Sequence, residues 1–286
     1  TLEEIGSEVI RMYKDDKESR GEWEQMFENG SDLLGLKLEE SSDPFEGACT
    51  AVHPLLIESA VKFQSKASGE LFPSGGPVRT QIIGEVTDEK DEQATRVREF
   101  MNFEITEIMP EYFDEFERLL FHLPLFGSAF KKVYYDAKEG RPVSEFVPVD
   151  QFYVPTNAVD LEKADRYTHV IYRSPKDLMR EIAVEMYLDI NLPEAAAVQR
   201  TGIAEKIDTI MGFNSDSLND PEYCLLEQHC YLELPGEFEG PFPLPYIVTV
   251  EEQSGQVLSI RRNYEEGDDL YRKINHFVHY KFVPGF

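Results

Sequence analysis

"LPLFGSAFKKVYYDAKEGRPVSEFVPVDQFYVP", residues 123–155, is the stretch in which the chain changes its period. Before it, apolar residues recur three and four apart, the spacing of one helix face. After Gly127, "SAFKKVYYD" and "RPVSEFVPV" carry the Val, Phe and Tyr that fit a pleated strand. They are joined by "AKEG", which puts Gly140 where a hairpin turn calls for it. A helix that hands over directly to a hairpin predicts an α+β fold.

Upstream of this junction a long helix is expected over about residues 92–121, with Val97, Phe100, Met101, Phe113, Phe116 and Leu119 among its apolar positions. Pro110 should kink or split it, because proline lacks the N–H that an interior turn needs. From residue 53, "HPLLIESAVKFQSKASGELFP" places Leu56, Ala60, Phe63, Ala67 and Leu71 on one helical stripe, which reads as core. Pro54 suits the first turn of that helix and Pro73 stops it after Phe72. Still earlier, two amphipathic helices broken near Gly21 are expected. Downstream, strands are expected at 151–154 and in "YTHVIYRS". A helix should run from 175 to about 188, with Ser174 as its N-cap. Then "YCLLEQHCYLEL", "YIVTVEEQSGQVLSIRR" and "NHFVHYKFV" read as three or four further strands, with a hairpin at Ser254-Gly255. The segment "PGEFEGPFPLP", residues 235–245, holds four Pro and two Gly and fits neither a helix nor a central strand.

The chain of 286 residues is large enough for one big domain or two smaller ones, and 41% hydrophobic residues with 19 Phe and 14 Tyr supply a core. Its charge is lopsided: 55 acidic against 28 basic residues, a formal net charge of -27. Such a surface repels phosphate backbones and anionic headgroups, so groove-reading of nucleic acid and membrane docking are both disfavoured. Three cysteines, Cys49, Cys224 and Cys230, make no paired framework and point to a reducing compartment. No apolar run approaches the ~18 residues of a membrane span. Thr1 in place of Met, and an ending at "FVPGF", are read as the mark of a trimmed chain or of part of a longer product.

Motifs for chemistry are sparse. No HExxH, GxSxG or P-loop pattern occurs. His276 and His279 are three apart, which on a strand turns them to opposite faces. Cys224, His229 and Cys230 form the best metal-like cluster, yet alternation separates His229 from both thiols. They are read as ordinary strand residues, and no catalytic residue, metal site or cofactor is expected. Lys62, Lys66 and Arg79, and the hairpin lysines Lys131, Lys132 and Lys138, are read as solvated faces or contacts to acidic neighbours.

The opening segment resembles the portal proteins of tailed bacteriophages, of the podovirus head-to-tail connector type. In these proteins a helix end with Gly leads into G-x-A-x-x-K-V-x-Y-D, a short turn, a strand with E-x-V/I-x-x-x-x-F, and a proline. The matching positions are Gly127, Ala129, Lys132, Val133, Tyr135 and Asp136, then Glu145, Val147, Phe152 and Pro155. The helix at residues 53–73 and the closing "NHFVHYKFVPGF" are similar to the family as well.

The resemblance implies a subunit of a dodecameric ring at one capsid vertex, forming the channel for double-stranded DNA packaging and ejection. No enzymatic activity is implied. The partners would be the terminase large subunit, the major capsid and scaffolding proteins, a tail adaptor and double-stranded DNA that passes without sequence-specific binding. The protein would reside in the virion and, during assembly, in the host cytoplasm. The implied layout is a helix-rich wing with a β-hairpin over 1–172, a short stem helix and linker over 173–214, and a small β-rich clip over 215–286 that leads back to further chain. The apolar helices nominate Leu56, Phe63, Leu71, Phe100 and Phe116 for contacts between subunits. The Pro-rich segment and the following hairpin nominate Phe238, Phe242, Glu251 and Glu252 for partner docking. Two other classes stay open on the residues alone: an acidic metal-dependent hydrolase, and an acidic assembly or interaction protein that forms no ring.

Overall fold

A computed structural model describes residues 1–32, 54–197, 220–234 and 242–282. In chain order the elements are helices α1 (Leu2–Ser19), α2 (Gly21–Asp32), α3 (Leu55–Leu71) and α4 (Asp88–Phe103), a π turn (Glu104–Ile108) and helix α5 (Tyr112–Phe126). Strands β1 (Ser128–Asp136), β2 (Arg141–Val147), β3 (Phe152–Tyr153) and β4 (Tyr167–Arg173) follow. The last are helix α6 (Pro175–Ala183) and strands β5 (Ala196–Ala197), β6 (Pro221–Leu232), β7 (Leu244–Glu251), β8 (Val257–Arg262) and β9 (Phe277–Lys281). The chain is α+β, with antiparallel sheets. It forms two compact units, Thr1–Pro54 with Val149–Asn275, and Leu55–Pro148 with His276–Phe286.

The first unit is built on a sheet of order β3-β4-β6-β7-β8, with β5 pairing to the start of β6. Alternation gives this sheet two covered faces. On one, Val170, Leu226, Cys230, Val248, Val250 and Val257 meet Val9 and Tyr13 of α1. On the other, Ile171, Leu225 and Leu258 meet Leu178 of α6 and Tyr187. Arg20, just past α1, donates to the carbonyls of Val149 (2.9 Å) and Phe152 (2.7 Å) and lies 3.9 Å from the Tyr153 ring centroid, which ties the end of the helix to the sheet's edge strand.

In the second unit β2-β1-β9 form a three-stranded sheet. Phe116, Leu119, Leu120 and Leu123 of α5 pack on Ala129 and Phe146 of this sheet, and Phe63 and Ala67 of α3 pack against the same cluster. The handover from helix to hairpin is local chemistry. Gly127 caps α5 at φ 73°, a left-handed conformation that L side chains avoid, and its N–H bonds the Leu123 carbonyl. In the hairpin turn Gly140 has φ 66°, and its N–H bonds the Asp136 carbonyl at 2.8 Å. Register pairs Phe130 with Val147 and Asp136 with Arg141.

Several expectations need correction. The long helix starts at Asp88, ends at Phe126 and is split as foreseen, by a π turn and Pro110. The helix expected over 175–188 stops at Ala183 because Glu185 turns left-handed (φ 60°) and the Leu188 N–H then bonds the Leu258 carbonyl at 2.9 Å. Nine residues at ~1.5 Å each give a rod of only about 14 Å. The strands assigned to a separate clip do not stand apart: β6, β7 and β8 continue the sheet begun by β3 and β4, while β9 pairs with β1. The boundaries between the two compact units fall after residues 54, 148 and 275. Finally, the helix stripe is core only in its middle. Ala60 is buried, but Leu56 and Leu71 are 42% and 44% exposed.

Candidate functional site

The metal-like cluster on β6 separates as alternation requires. Cys230 is buried in the sheet face under α1, and Cys224 packs against that same cluster. His229 points the other way. It stacks on Tyr167 (4.7 Å, 22°), with Nε2 3.2 Å from Glu227 Oε1 and Nδ1 3.4 Å from Asn263 Nδ2, while Glu227 Oε2 lies 3.6 Å from Arg261. Burial pushes the Cys230 thiol up to about 12 and the Cys224 thiol well above the ordinary range, so neither is a nucleophile near neutral pH. His279 stacks on Phe130 (4.6 Å, 18°) with Nε2 3.1 Å from Ser128 Oγ. Among the described residues no group of three His, Cys, Asp or Glu is arranged to hold a metal ion. Cys49, His53 and Phe238 lie outside the described residues.

The residues nominated for partner docking fare unevenly. Glu251 is 2% exposed and caps its own hairpin, accepting from Gln253 N (3.1 Å), Ser254 N (2.6 Å) and Ser254 Oγ (2.6 Å). It is not available to a partner, because the turn after β7 needs an acceptor there. Glu252 is half-buried and its N–H bonds the Cys224 carbonyl at 2.9 Å. Phe242 is 45% exposed and meets Tyr271 edge-on at 6.4 Å, which places it at the end of an aromatic chain through Tyr264 to Tyr246.

The hairpin lysines read as solvated are not all so. Lys131 and Lys132 are buried. Lys131 Nζ sits 3.8 Å from the Tyr112 ring centroid and 4.8 Å from that of Phe116, with no hydrogen-bond partner among the described residues. Burial pushes its amine down to about 8, against the pull of Glu115 and Glu111. Below that value both folded and unfolded chains carry the proton and the full burial penalty stands. Between about 8 and the ordinary 10.5 the unfolded chain binds a proton that the folded one has shed, so folding gains stability as pH rises. Lys131→Met should therefore stabilise the chain by about 1–3 kcal/mol near pH 7. The gain should shrink in denaturation curves recorded at pH 9 and 10. A constant difference across that range would show that the ammonium is not what costs stability.

Exposed apolar side chains occur in both units, and a run of them lies on the helices of the second unit. Of the five residues nominated for subunit contacts, Leu56 (42%), Leu71 (44%) and Phe100 (64%) are exposed, Phe63 is half-buried against Phe282 (5.2 Å), and Phe116 is buried among Phe72, Tyr112 and Tyr280. Phe116 belongs to its own unit's core and is withdrawn from that set. Phe100 is the one residue nominated from α4, and its neighbours on that helix share its exposure. None of the described residues of α4 is buried, and Val97 (45%), Met101 (42%) and Phe103 (51%) stand out in the same helix as Phe100. Val97, Phe100 and Met101 follow the helical spacing of one face, and that spacing was the available signal. The helix is held by polar brackets at its inner side. Thr80 Oγ1 donates to the Ala94 carbonyl (3.1 Å), and the Asn102 side chain bonds both the N–H (2.9 Å) and the carbonyl (3.2 Å) of Val78.

No helix among the described residues is long and apolar enough to cross a membrane. The chain matches no protein-family model and no curated protein.

Proposed function

We propose that the protein is a subunit of a portal ring of a tailed bacteriophage, through which double-stranded DNA is packaged and ejected. The observation that carries this reading is α4, a helix with no buried described residue that turns Val97, Phe100, Met101 and Phe103 outward. An amphipathic helix contributes to stability by burying its apolar face, and a contiguous exposed face of this kind marks an interface. A contact between this face and a different patch on an identical neighbour is heterologous, and repeated by rotation it closes into a ring. Residues 123–155, on which the family resemblance rests, form a helix end, a glycine cap and a hairpin, a local arrangement compatible with this reading.

The charge supports the same reading. A channel wall that neutralised phosphates would hold DNA at each contact, whereas a net charge of -27 per chain favours passage over grip. Terminase, scaffolding and capsid proteins and a tail adaptor are the partners this role requires.

The test is the mass of the full-length protein in solution, by native mass spectrometry or mass photometry. Rings are expected, and Phe100→Asp should convert them to monomers. Because Phe100 is 64% exposed within its own chain, that substitution should change monomer stability by less than ~0.5 kcal/mol. A full-length protein that stays monomeric at high concentration and at several salt levels would overturn the reading.

A further inference from the structure

The turn after α3 and the joint between α4 and α5 enclose an open groove of about 510 Å³ in the second unit. Its apolar lining includes Phe72, Pro73, Pro77, Ile105, Tyr112 and Phe113. The groove is built in advance of any ligand. The Gly76 N–H bonds the Pro73 carbonyl at 2.9 Å, and Asn102 holds Val78 at two points. Gly76 has φ +90°, and a Cβ there would lie 2.5 Å from Asn102 Oδ1, so this wall accepts only glycine. Phe72 meets Phe113 edge-on at 4.9 Å and Phe116 at 5.5 Å, which fixes the floor. Phe113 stays 42% exposed.

The chain along one side of the groove is acidic, although the Lys131 ammonium lies 3.8 Å from the ring centroid of the lining residue Tyr112. Residues 99–117 hold Glu99, Glu104, Glu107, Glu111, Asp114, Glu115 and Glu117 and no Lys, Arg or His. Some of these carboxylates serve the fold: Glu111 takes Arg141 (2.8 and 2.9 Å), Glu115 takes Arg118 (2.9 Å) and the Phe146 N–H (2.7 Å), and Glu117 takes Ser68 Oγ (3.2 Å). Glu104, Glu107 and Asp114 instead sit next in sequence to the lining residues Ile105, Thr106 and Phe113, and Glu107 and Asp114 are exposed. The opposite wall, residues 72–77, is uncharged, with Arg79 two residues beyond it. A rigid apolar slot flanked by carboxylates selects an apolar side chain carried between basic ones. A second copy of a chain with net charge -27 is a poor source of such a segment.

We infer that this groove docks a short basic segment of a different protein, anchored by one aromatic or branched apolar side chain. The inference concerns a surface apart from Phe100 and does not depend on ring formation.

Panning a displayed library of random dodecapeptides against the full-length protein tests it. Selected sequences should place Lys or Arg around one bulky apolar residue, and a fluorescent synthetic peptide of that consensus should bind more tightly at low salt. Thr106→Arg, at an exposed position facing the groove, and Glu107→Lys should each weaken that peptide by at least about tenfold, while Phe100→Asp leaves it unchanged. Three results would each overturn the inference: no enrichment, a consensus without basic residues, or groove variants that bind the peptide as well as the wild type does. A tryptic peptide of this chain itself competing at equal affinity would overturn the choice of partner.

Discussion

Replacing Gly6 by alanine should destabilise the first unit by about 1–3 kcal/mol, with a correspondingly lower midpoint in chemical denaturation. In an open helix the same substitution stabilises by roughly 0.5–1 kcal/mol, because glycine sacrifices more chain entropy on folding. The sign reverses here because α1 crosses the tip of the β7–β8 hairpin at Gly6. A Cβ at that position would overlap the backbone carbonyl oxygen of Gly255 and reach Val257 Cγ2 at 3.4 Å. A backbone carbonyl cannot rotate aside as a side chain would. The helix must back away, and Val9 and Tyr13, 1% and 3% exposed, lose part of their seat against the sheet. Gly69→Ala is the control: Gly69 lies in α3 with open space where its Cβ would go, and it should give the ordinary gain. If both alanines stabilise, α1 does not dock on the hairpin in the way described.

Arg166→Ala should have a larger effect, about 3–5 kcal/mol, because it leaves a carboxylate inside the protein without its cation. Asp16 is 3% exposed, on the inner face of α1, and receives the Arg166 guanidinium in a fork, Nε to Oδ2 at 3.0 Å and Nη2 to Oδ1 at 2.7 Å. The pair joins α1 to the residue before β4, across 150 positions of sequence. Asp16→Asn combined with Arg166→Ala should recover a large part of the loss, since an amide is far cheaper to bury than a charge. Arg166→Lys should recover little, because an ammonium cannot reproduce the fork. Denaturation midpoints of the three variants decide the matter. If the single and double variants are equally unstable, the cost comes from lost packing of the arginine stem and not from the stranded carboxylate.

The junction at Gly127 was legible in the sequence because everything that makes it is local. The period of apolar residues switches there, the cap needs a glycine, and the hairpin turn needs another at Gly140. Pro110 splitting the long helix and Ser174 capping α6 were legible for the same reason. Alternation along β6 placed Cys224 and Cys230 away from His229 before any partner strand was known. Misreadings began where a residue's role depends on what arrives from elsewhere in the chain. Lys131 looked like a surface lysine until α5 covered it with Tyr112 and Phe116. Glu251 looked like a docking acid, but its own turn claims both oxygens. Phe116 and Phe100 were nominated alike, on one apolar pattern, yet one is 8% exposed and the other 64%.

The sequence by itself determined which segments are helix and which are strand, and that the surface is acidic. Those properties come from backbone sterics, side-chain period and charge count, which act within a few residues. Only the tertiary structure decided that β6, β7 and β8 extend the sheet of β3 and β4, that β9 goes to β1, and that α1 is covered while α4 is not. Gly6 and Gly69 are alike as letters in two helices, and only the approach of Gly255 makes one of them indispensable. Burial is a property of the two faces that meet. A sequence displays each face separately, and the pairing is settled by the free energy of the whole set of contacts, most of them between residues far apart in the chain.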